Sequence, residues 1–452
     1  MSRIKAIMNF LYFKQAWGLP LLMLLLPFMG NAQQTKGAAL SLKQAWLLAD
    51  SNSKKIQASE IDVQVSAARL GVAKDERLPE VSVNGQYAYV FNMPIYENGL
   101  FHTPEQFPIE RTYYKAGAQT HLNLYSGGKI NREIKYAQKE QEMSHVEHRQ
   151  TTADIHYQVV VHYYDLYRNT AYRALLLQDI KEREKQLHEI EQLYANGTVL
   201  KSDVLRATLR LSKQRMLLVE INNSIQIATQ RLNILIGKPD EEPAYIPIDT
   251  SGNLPLYRLQ PLQTYLSEAH AHAFKGQLSE KDKELSALKL QEVKSNTAPK
   301  IGFFAEYGYG YPQIQFYPYS LALYGSGMAG IKMSIPLSGL YTNKHKVKEA
   351  ALLLEQKEIA LYNSHDEIRQ EVEEAYLRCA EALEKVEVAK ENIVQAAESY
   401  RIMRNTYFNQ LALLTDFLDA ETQLLQSRFE LSTAQANAQV QFYKLQKTIG
   451  NL

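Results

Sequence analysis

At 452 residues, with 45% hydrophobic and 22% charged side chains, the chain has an ordinary folded composition and length for about two to three globular domains. Its 50 basic residues are balanced by 49 acidic ones, which excludes the strong positive field that nucleic-acid binding needs. The single cysteine, Cys379, excludes an intrachain disulfide.

The N-terminus carries Arg3, Lys5 and Lys14 ahead of the apolar run LPLLMLLLPFMG, which passes into the small-residue ending Gly30-Asn31-Ala32. Charge, apolar core and cleavage pattern predict a signal peptide over residues 1–32. A membrane anchor fits less well, because a helical span needs about 20 apolar residues. Removing those charges leaves 47 basic against 49 acidic residues. No later stretch approaches a helical span, so an exported chain is either soluble or crosses a membrane as strands.

A helical pattern over about 40–75 leads to LPEVSVNGQYAYV (78–90), a strand, and then to a Pro- and Tyr-rich loop at 93–112. In AGAQTHLNL (116–124), Ala116, Ala118, Thr120, Leu122 and Leu124 share one face, and Gly117, Gln119, His121 and Asn123 share the other. Between Gly128 and Tyr194 there is no proline or glycine, which predicts a helix about 100 Å long at 1.5 Å per residue. Asn196-Gly197-Thr198 then makes a turn, with Gly197 suited to a positive backbone angle and Thr198 to capping the next helix, at about 199–236.

From there the order begins again. APKIGFFAEYGYG (298–310) repeats LPEVSVNGQYAYV, with Pro299 on Pro79, Ile301 on Val81, Phe303 on Val83, Tyr307 on Tyr87 and Tyr309 on Tyr89. PLSGLYTN (336–343) repeats LYSGGKIN (124–131), and KLQKTIG ends at Gly450 where RLNILIG ends at Gly237. TYFNQLALLTDFLDA (406–420) repeats LYANGTVLKSDVLRA (193–207), with Tyr407 on Tyr194, Asn409 on Asn196, Asp416 on Asp203 and Ala420 on Ala207. The chain reads as one unit, residues 33–237, used again over 238–452. The short helices, placed end to end, match the long one, which puts the connection 237–255 and the C-terminus at a waist where they meet.

In the second long helix, Ile368, Val372, Ala375, Cys379, Ala382, Val386, Ala389, Ile393, Ala396, Tyr400, Met403 and Tyr407 alternate steps of four and three, a heptad stripe. Its alanine row lets a neighbouring helix approach closely; a simple long coiled coil is the competing reading. The first long helix is less regular, with Arg173 and Arg183 on the corresponding positions.

The strand AGIKMSIPL sets Ala329, Ile331, Met333 and Ile335 against Gly330, Lys332, Ser334 and Pro336, while Tyr87, Tyr89, Phe91, Tyr307, Tyr309 and Tyr311 crowd the strand ends. Alternation with an aromatic girdle fits a membrane barrel, although a soluble sandwich alternates too. Four strands are too few to close a pore, and open edges in lipid are prohibitive, so other copies must supply the rest.

With its strand-to-helix junctions at Ser126-Gly127 and Ser338-Gly339 and its twice-written hairpin, the chain resembles the TolC-like outer-membrane efflux proteins over nearly all of its length after the signal segment. The resemblance implies a mainly α protein with a membrane β-barrel. Three copies would share a twelve-stranded barrel in the outer membrane, continuous with a long periplasmic α-helical barrel. It implies a passive channel, not an enzyme, with no cofactor. Its partners would be outer-membrane lipid, a periplasmic adaptor, and an inner-membrane efflux pump or ABC exporter.

On that resemblance the hairpin tips dock the adaptor, through Asn196, Gly197, Thr198, Val199 and Leu200 in one and Asn409, Gln410, Leu411, Ala412 and Leu413 in the other. Gln410 stands where glycine is usual, so Asn409 is expected to take the left-handed angle. The pore gate maps onto Asp416 and Asp419, which share a helix face. Asp203, Arg206 and Tyr407 complete it, with Arg206 set to pair with Asp419 of a neighbouring helix. A plainer account makes Asp203 and Asp416 helix-start residues favoured by the dipole. The basic partner of the family's tyrosine latch is replaced by Ala412. His156 and His162, six apart, do not share a helix face for a metal, and Tyr163, Tyr164 and Tyr167 read as packing surface. The competing functions are a periplasmic adaptor and a secreted coiled-coil scaffold.

Overall fold

The computed structural model describes residues 39–107, 109–240, 246–247, 257–313 and 320–452. The signal segment 1–32, most of the connection 237–255 and residues 314–319 lie outside them.

A two-residue strand, β1 (Ala39–Leu40), opens the described chain, followed by α1 (Leu42–Asn52) and α2 (Lys54–Asp75). Strands β2 (Glu80–Tyr89) and β5 (Thr112–Ser126) flank a small hairpin, β3 (Met93–Ile95) with β4 (Glu105–Phe107). The helix α3 (Lys129–Ala195) has 67 residues and α4 (Lys201–Ile236) has 36. After β6 (Ile246–Pro247), which pairs parallel with β1, the order recurs. It runs α5 (Leu262–His272), α6 (Phe274–Lys294), β7 (Lys300–Tyr311), β8 (Tyr324–Ser334), the 70-residue α7 (Gly339–Phe408) and α8 (Leu414–Thr448).

The single helix expected over 40–75 is broken at Ser53, and its repeat at Ala273; both residues are extended, with ψ of 121° and 124°. Neither break contains proline or glycine. Each lies where the end of another helix presses on it. A Cβ on Gly237, just past α4, would come within 2.3 Å of Asn52 Cβ, and one on Gly450, past α8, within 2.2 Å of the His272 carbonyl oxygen. Only glycine, at φ of 68° and 84°, lets the backbones meet this closely. These contacts form the waist.

Along α3 the short helices follow one another. Ser59 of α2 meets His148 and Arg77, just past its end, meets Asn131, whereas Asn222 and Arg215 of α4 meet Arg173 and Glu184. The heptad stripe of α7 is inside: Val372, Cys379 and Val386 are fully buried, and Ala375, Ala382, Ala389 and Ala396 lie with them. Ala382 and Val386 pack with Ala438 of α8, the close approach that the alanine row allows. Tyr163, Tyr164 and Tyr167 are core residues, edge to face in sequence.

Strands pair antiparallel in the order β2-β5-β7-β8. The ladder puts Val81, Val83, Tyr87 and Tyr89 on one face with Ala116, Ala118, Leu122, Ile301, Phe303, Ala305, Ala329, Ile331 and Met333. The opposite face carries Glu80, Ser82, Gln119, His121, Asn123, Glu306, Lys332 and Ser334. One member moves: a bulge leaves Leu124 out of the ladder, so Tyr125 opposite Ile301 continues the apolar row.

Candidate functional site

Both hairpin tips close by the same backbone device. The Gly197 N–H donates to Tyr194 O at 2.9 Å and the Thr198 N–H to Leu193 O at 2.9 Å; Gln410 donates to Tyr407 O at 2.8 Å and Leu411 to Thr406 O at 2.9 Å. This pair of bonds satisfies the last carbonyls of a helix and requires a left-handed residue. Gly197 supplies it with φ of 73°, and Gln410 itself supplies it in the second tip, with φ of 62°. The expectation for Asn409 is therefore corrected: it lies at φ −88° and closes α7, as Asn196 closes α3. Thr198 does not cap α4 either. Leu200 holds the N-cap position, and the Asp203 carboxylate accepts its N–H at 3.4 Å.

Leucine at both N-caps leaves apolar tips. Leu200, Leu411 and Leu413 are 71%, 79% and 70% exposed, while Val199 turns inward and Ala412 is half-buried. Behind them, one apolar cluster draws on all four helices: Ile190 of α3, Ala207 of α4, Tyr407 of α7, and Leu414, Phe417 and Leu418 of α8. Tyr407 and Phe417 stack with centroids 5.5 Å apart. The Tyr407 hydroxyl is buried with no hydrogen-bond partner among the described residues, and burial, then the Asp203 charge, raises its pKa.

The expected gate residues are thus brought to one end of the helices but are not all joined. Asp416 is in the first turn of α8, exposed, with Thr415 Oγ1 3.5 Å from its Oδ1. Asp419 is exposed one turn on, and its partner is Arg210, not Arg206: Nη2 to Oδ1 is 3.1 Å, and Arg210 Nη1 also donates to Thr422 at 3.1 Å. Arg206 is exposed and has no ion pair among the described residues. The α4 register explains the shift: the turn carrying Ala207 packs into the tip cluster, and Arg210, next along that flank, reaches α8.

Sequence reading missed a buried cluster above the tip. Arg183 Nε donates to Asp179 at 2.7 Å, Arg183 Nη1 lies 2.7 Å from Glu421 Oε2, and Gln186 Nε2 donates to Glu421 Oε1 at 2.7 Å. The side chains of Arg183, Asp179 and Glu421 are only 3%, 8% and 5% exposed. Burial pushes the pKa of both carboxyls up, with Arg183 opposing it. The one available signal was Arg183 standing on the apolar stripe.

A sheet apolar on one face and polar on the other, open at both edges among the described residues and rooted in helices about 100 Å long, defines the subunit of an outer-membrane channel with a helical body. The chain matches the family described as outer membrane efflux protein over residues 47–238 and 291–451, and it belongs to that family. It is an outer-membrane efflux channel, a transport protein and not an enzyme.

No curated protein matches the chain. Its fold is similar to that of the outer membrane protein VceC of Vibrio cholerae, at 17% identity and TM-score 0.72, covering 90% of this chain and 96% of that one. It is also similar to a membrane protein from Pseudomonas aeruginosa, at 15% identity and TM-score 0.76, with 92% and 91% covered. The open state of the MtrE outer membrane channel of Neisseria gonorrhoeae is similar at 14% identity and TM-score 0.72, with 90% and 88% covered.

Proposed function

We propose that three copies of this chain share one twelve-stranded barrel and one helical tunnel, through which cargo delivered by an inner-membrane pump or ABC exporter and a periplasmic adaptor leaves the cell. The observation that carries the reading is the open sheet. β2 and β8 each present a free edge beside an apolar face on which Val81, Val83, Ile331 and Met333 are all more than half exposed. Unpaired backbone at such an edge in lipid costs several kcal/mol per group, so β8 of one copy pairs with β2 of the next. The helices support the same closure: Ile61 and Val72 on α2, Leu209 and Met216 on α4, and Leu353 and Ile359 on α7 are exposed apolar residues on the flanks.

The tips gate this duct. Asp416 and Asp419, repeated around the ring, form acidic constrictions that repel one another unless cations intervene, and an adaptor seated on Leu200, Leu411 and Leu413 spreads them. Asp203 and Arg206 line the neighbouring hairpin, and Tyr407 anchors the apolar cluster behind it. Outer-membrane fractions tested for heat-modifiable trimers check the assembly. Trimers that fall to single chains on boiling are expected; a chain stable alone in detergent-free buffer overturns it.

A further inference from the structure

At the waist the two repeats solve one contact differently. Asp50 and His270 hold the same place, two residues before the ends of the short helices α1 and α5. In the first repeat the Asp50 carboxylate meets His156 of α3, with Oδ1 2.7 Å from Nε2, and the imidazole is stacked on Trp46 at 5.3 Å. In the second repeat a histidine stands in place of the carboxylate. His270 meets His365 of α7, about one helical turn from the position that answers to His156. The ring centroids are 5.1 Å apart and the planes are inclined at 71°. Among the described residues no other two imidazoles touch, and neither of these has a hydrogen-bond or ion-pair partner.

That separation suits a shared metal ion. With metal–nitrogen bonds of about 2.0–2.1 Å and a tetrahedral angle, two histidines on one zinc ion hold their ring centres about 5 Å apart. Both supports are fixed. Ala269, beside His270, and Ile368, one turn beyond His365, are buried in one apolar cluster with Tyr265, Val372, Leu445 and Ile449. The backbones therefore keep their distance, while the rings, exposed for His270 and half-buried for His365, can turn a nitrogen toward a common ion. The nearest carboxylates along both helices are engaged elsewhere: Asp366 with Arg369 at 3.0 Å, Glu367 with Lys275 at 2.6 Å, and Glu268 with Asn451 at 3.1 Å. No third histidine, cysteine or carboxylate joins the pair among the described residues, so water completes the shell and the ion stays exchangeable.

We propose that His270 and His365 form a two-histidine site for a divalent transition ion of the zinc class, which ties the short helix α5 to the long helix α7 at the waist. Imidazole nitrogen selects zinc, copper or nickel over magnesium and calcium, which take oxygen ligands. The effect is mechanical. α5 parts from α6 at Ala273, and the ion fastens the α5 side of that break to α7, a link that Asp50 and His156 make without metal in the first repeat. Both ligands belong to one chain, so the site does not depend on how many copies form the channel.

The purified channel, free of any affinity tag, is titrated with Zn2+ against a metallochromic indicator at about pH 7.5, above the ordinary imidazole range. One ion per chain is expected to compete with the indicator. His270→Ala and His365→Ala should each weaken that binding by about tenfold or more, whereas His345→Ala, at an exposed histidine nearer the strand end of α7, should leave it unchanged. Cu2+ in place of Zn2+ gives a second readout, because pulsed electron paramagnetic resonance counts the imidazoles on each ion. Two are expected in the native chain, and one or none in either variant. Binding undiminished in H270A/H365A, or a single imidazole per ion in the native chain, overturns the proposal. The native spectrum stands without the variants, so a substitution that fails to fold does not protect it.

Discussion

Gln410 holds the left-handed backbone angle that Gly197 holds at the corresponding point of the other hairpin, φ 62° against 73°, with the same two backbone bonds around it. A side chain at this angle costs about 1–2 kcal/mol through its Cβ, which glycine avoids. Gln410→Gly is therefore expected to raise stability by about 1 kcal/mol, and Gly197→Ala to lower it by a similar amount. Melting curves of the two variants check this; a destabilised Gln410→Gly would show that the Gln410 side chain has a role of its own.

Tyr407 contributes a ring and not a hydroxyl. Tyr407→Phe removes a buried oxygen without a partner among the described residues and should change stability by about 1 kcal/mol or less. Tyr407→Ala empties the centre of the tip cluster at a loss of about 3–5 kcal/mol, and leaky conductance in bilayers is the accompanying expectation. A Tyr407→Phe channel that leaks as strongly would assign the hydroxyl to a latch.

Acid should rescue the buried cluster when Arg183 is removed from it. Burial raises the pKa of Asp179 and Glu421, so their protonated forms are favoured more in the folded chain than in the unfolded one. Stability from such a group is full at low pH and is lost as pH rises through its folded pKa. Arg183 offsets that loss in the native chain. Arg183→Met is expected to lose about 3–5 kcal/mol near neutrality. The deficit should narrow as pH falls toward the ordinary carboxyl range, about 4. Thermal melts of both proteins across pH read this directly, and a deficit that grows in acid contradicts it.

Replacing Asp416 and Asp419 with alanine should weaken block of the pore by multivalent cations, because it removes the exposed carboxylates at the start of α8. Conductance titrated with a divalent or trivalent cation provides the measure, and an unchanged blocking concentration takes both residues out of the gate. Arg210→Ala separates the two: it frees Asp419 and leaves Asp416 as it was.

Periodicity was legible wherever one helix or strand face meets one kind of surroundings. The α7 stripe from Ile368 to Tyr407 faces inward as spaced, with Ile393, Tyr400 and Met403 half-buried and the rest buried, and the strand parity from Val81 to Tyr89 holds residue by residue. Two local details failed at the tips, the left-handed angle at Gln410 and the N-cap at Leu200; the other misses were places decided by a distant segment. Ser53 and Ala273 are ordinary helix residues that break because Gly237 and Gly450 arrive beside them. Leu124 leaves its row because β5 must shift register against β7. Arg206 gave way to Arg210 because packing at Ala207 fixes which side of α4 meets α8.

The sequence by itself determined the duplication, the long uninterrupted helices, the two-faced strands and the turn at each tip, since all of these follow from local spacing and backbone preference. Only the tertiary structure decided that Arg183 lies inside and meets Glu421, and that Asp419 answers to Arg210. Those pairs join residues more than two hundred positions apart, and a charge on an apolar stripe says nothing of its partner until another helix brings the opposite charge within reach.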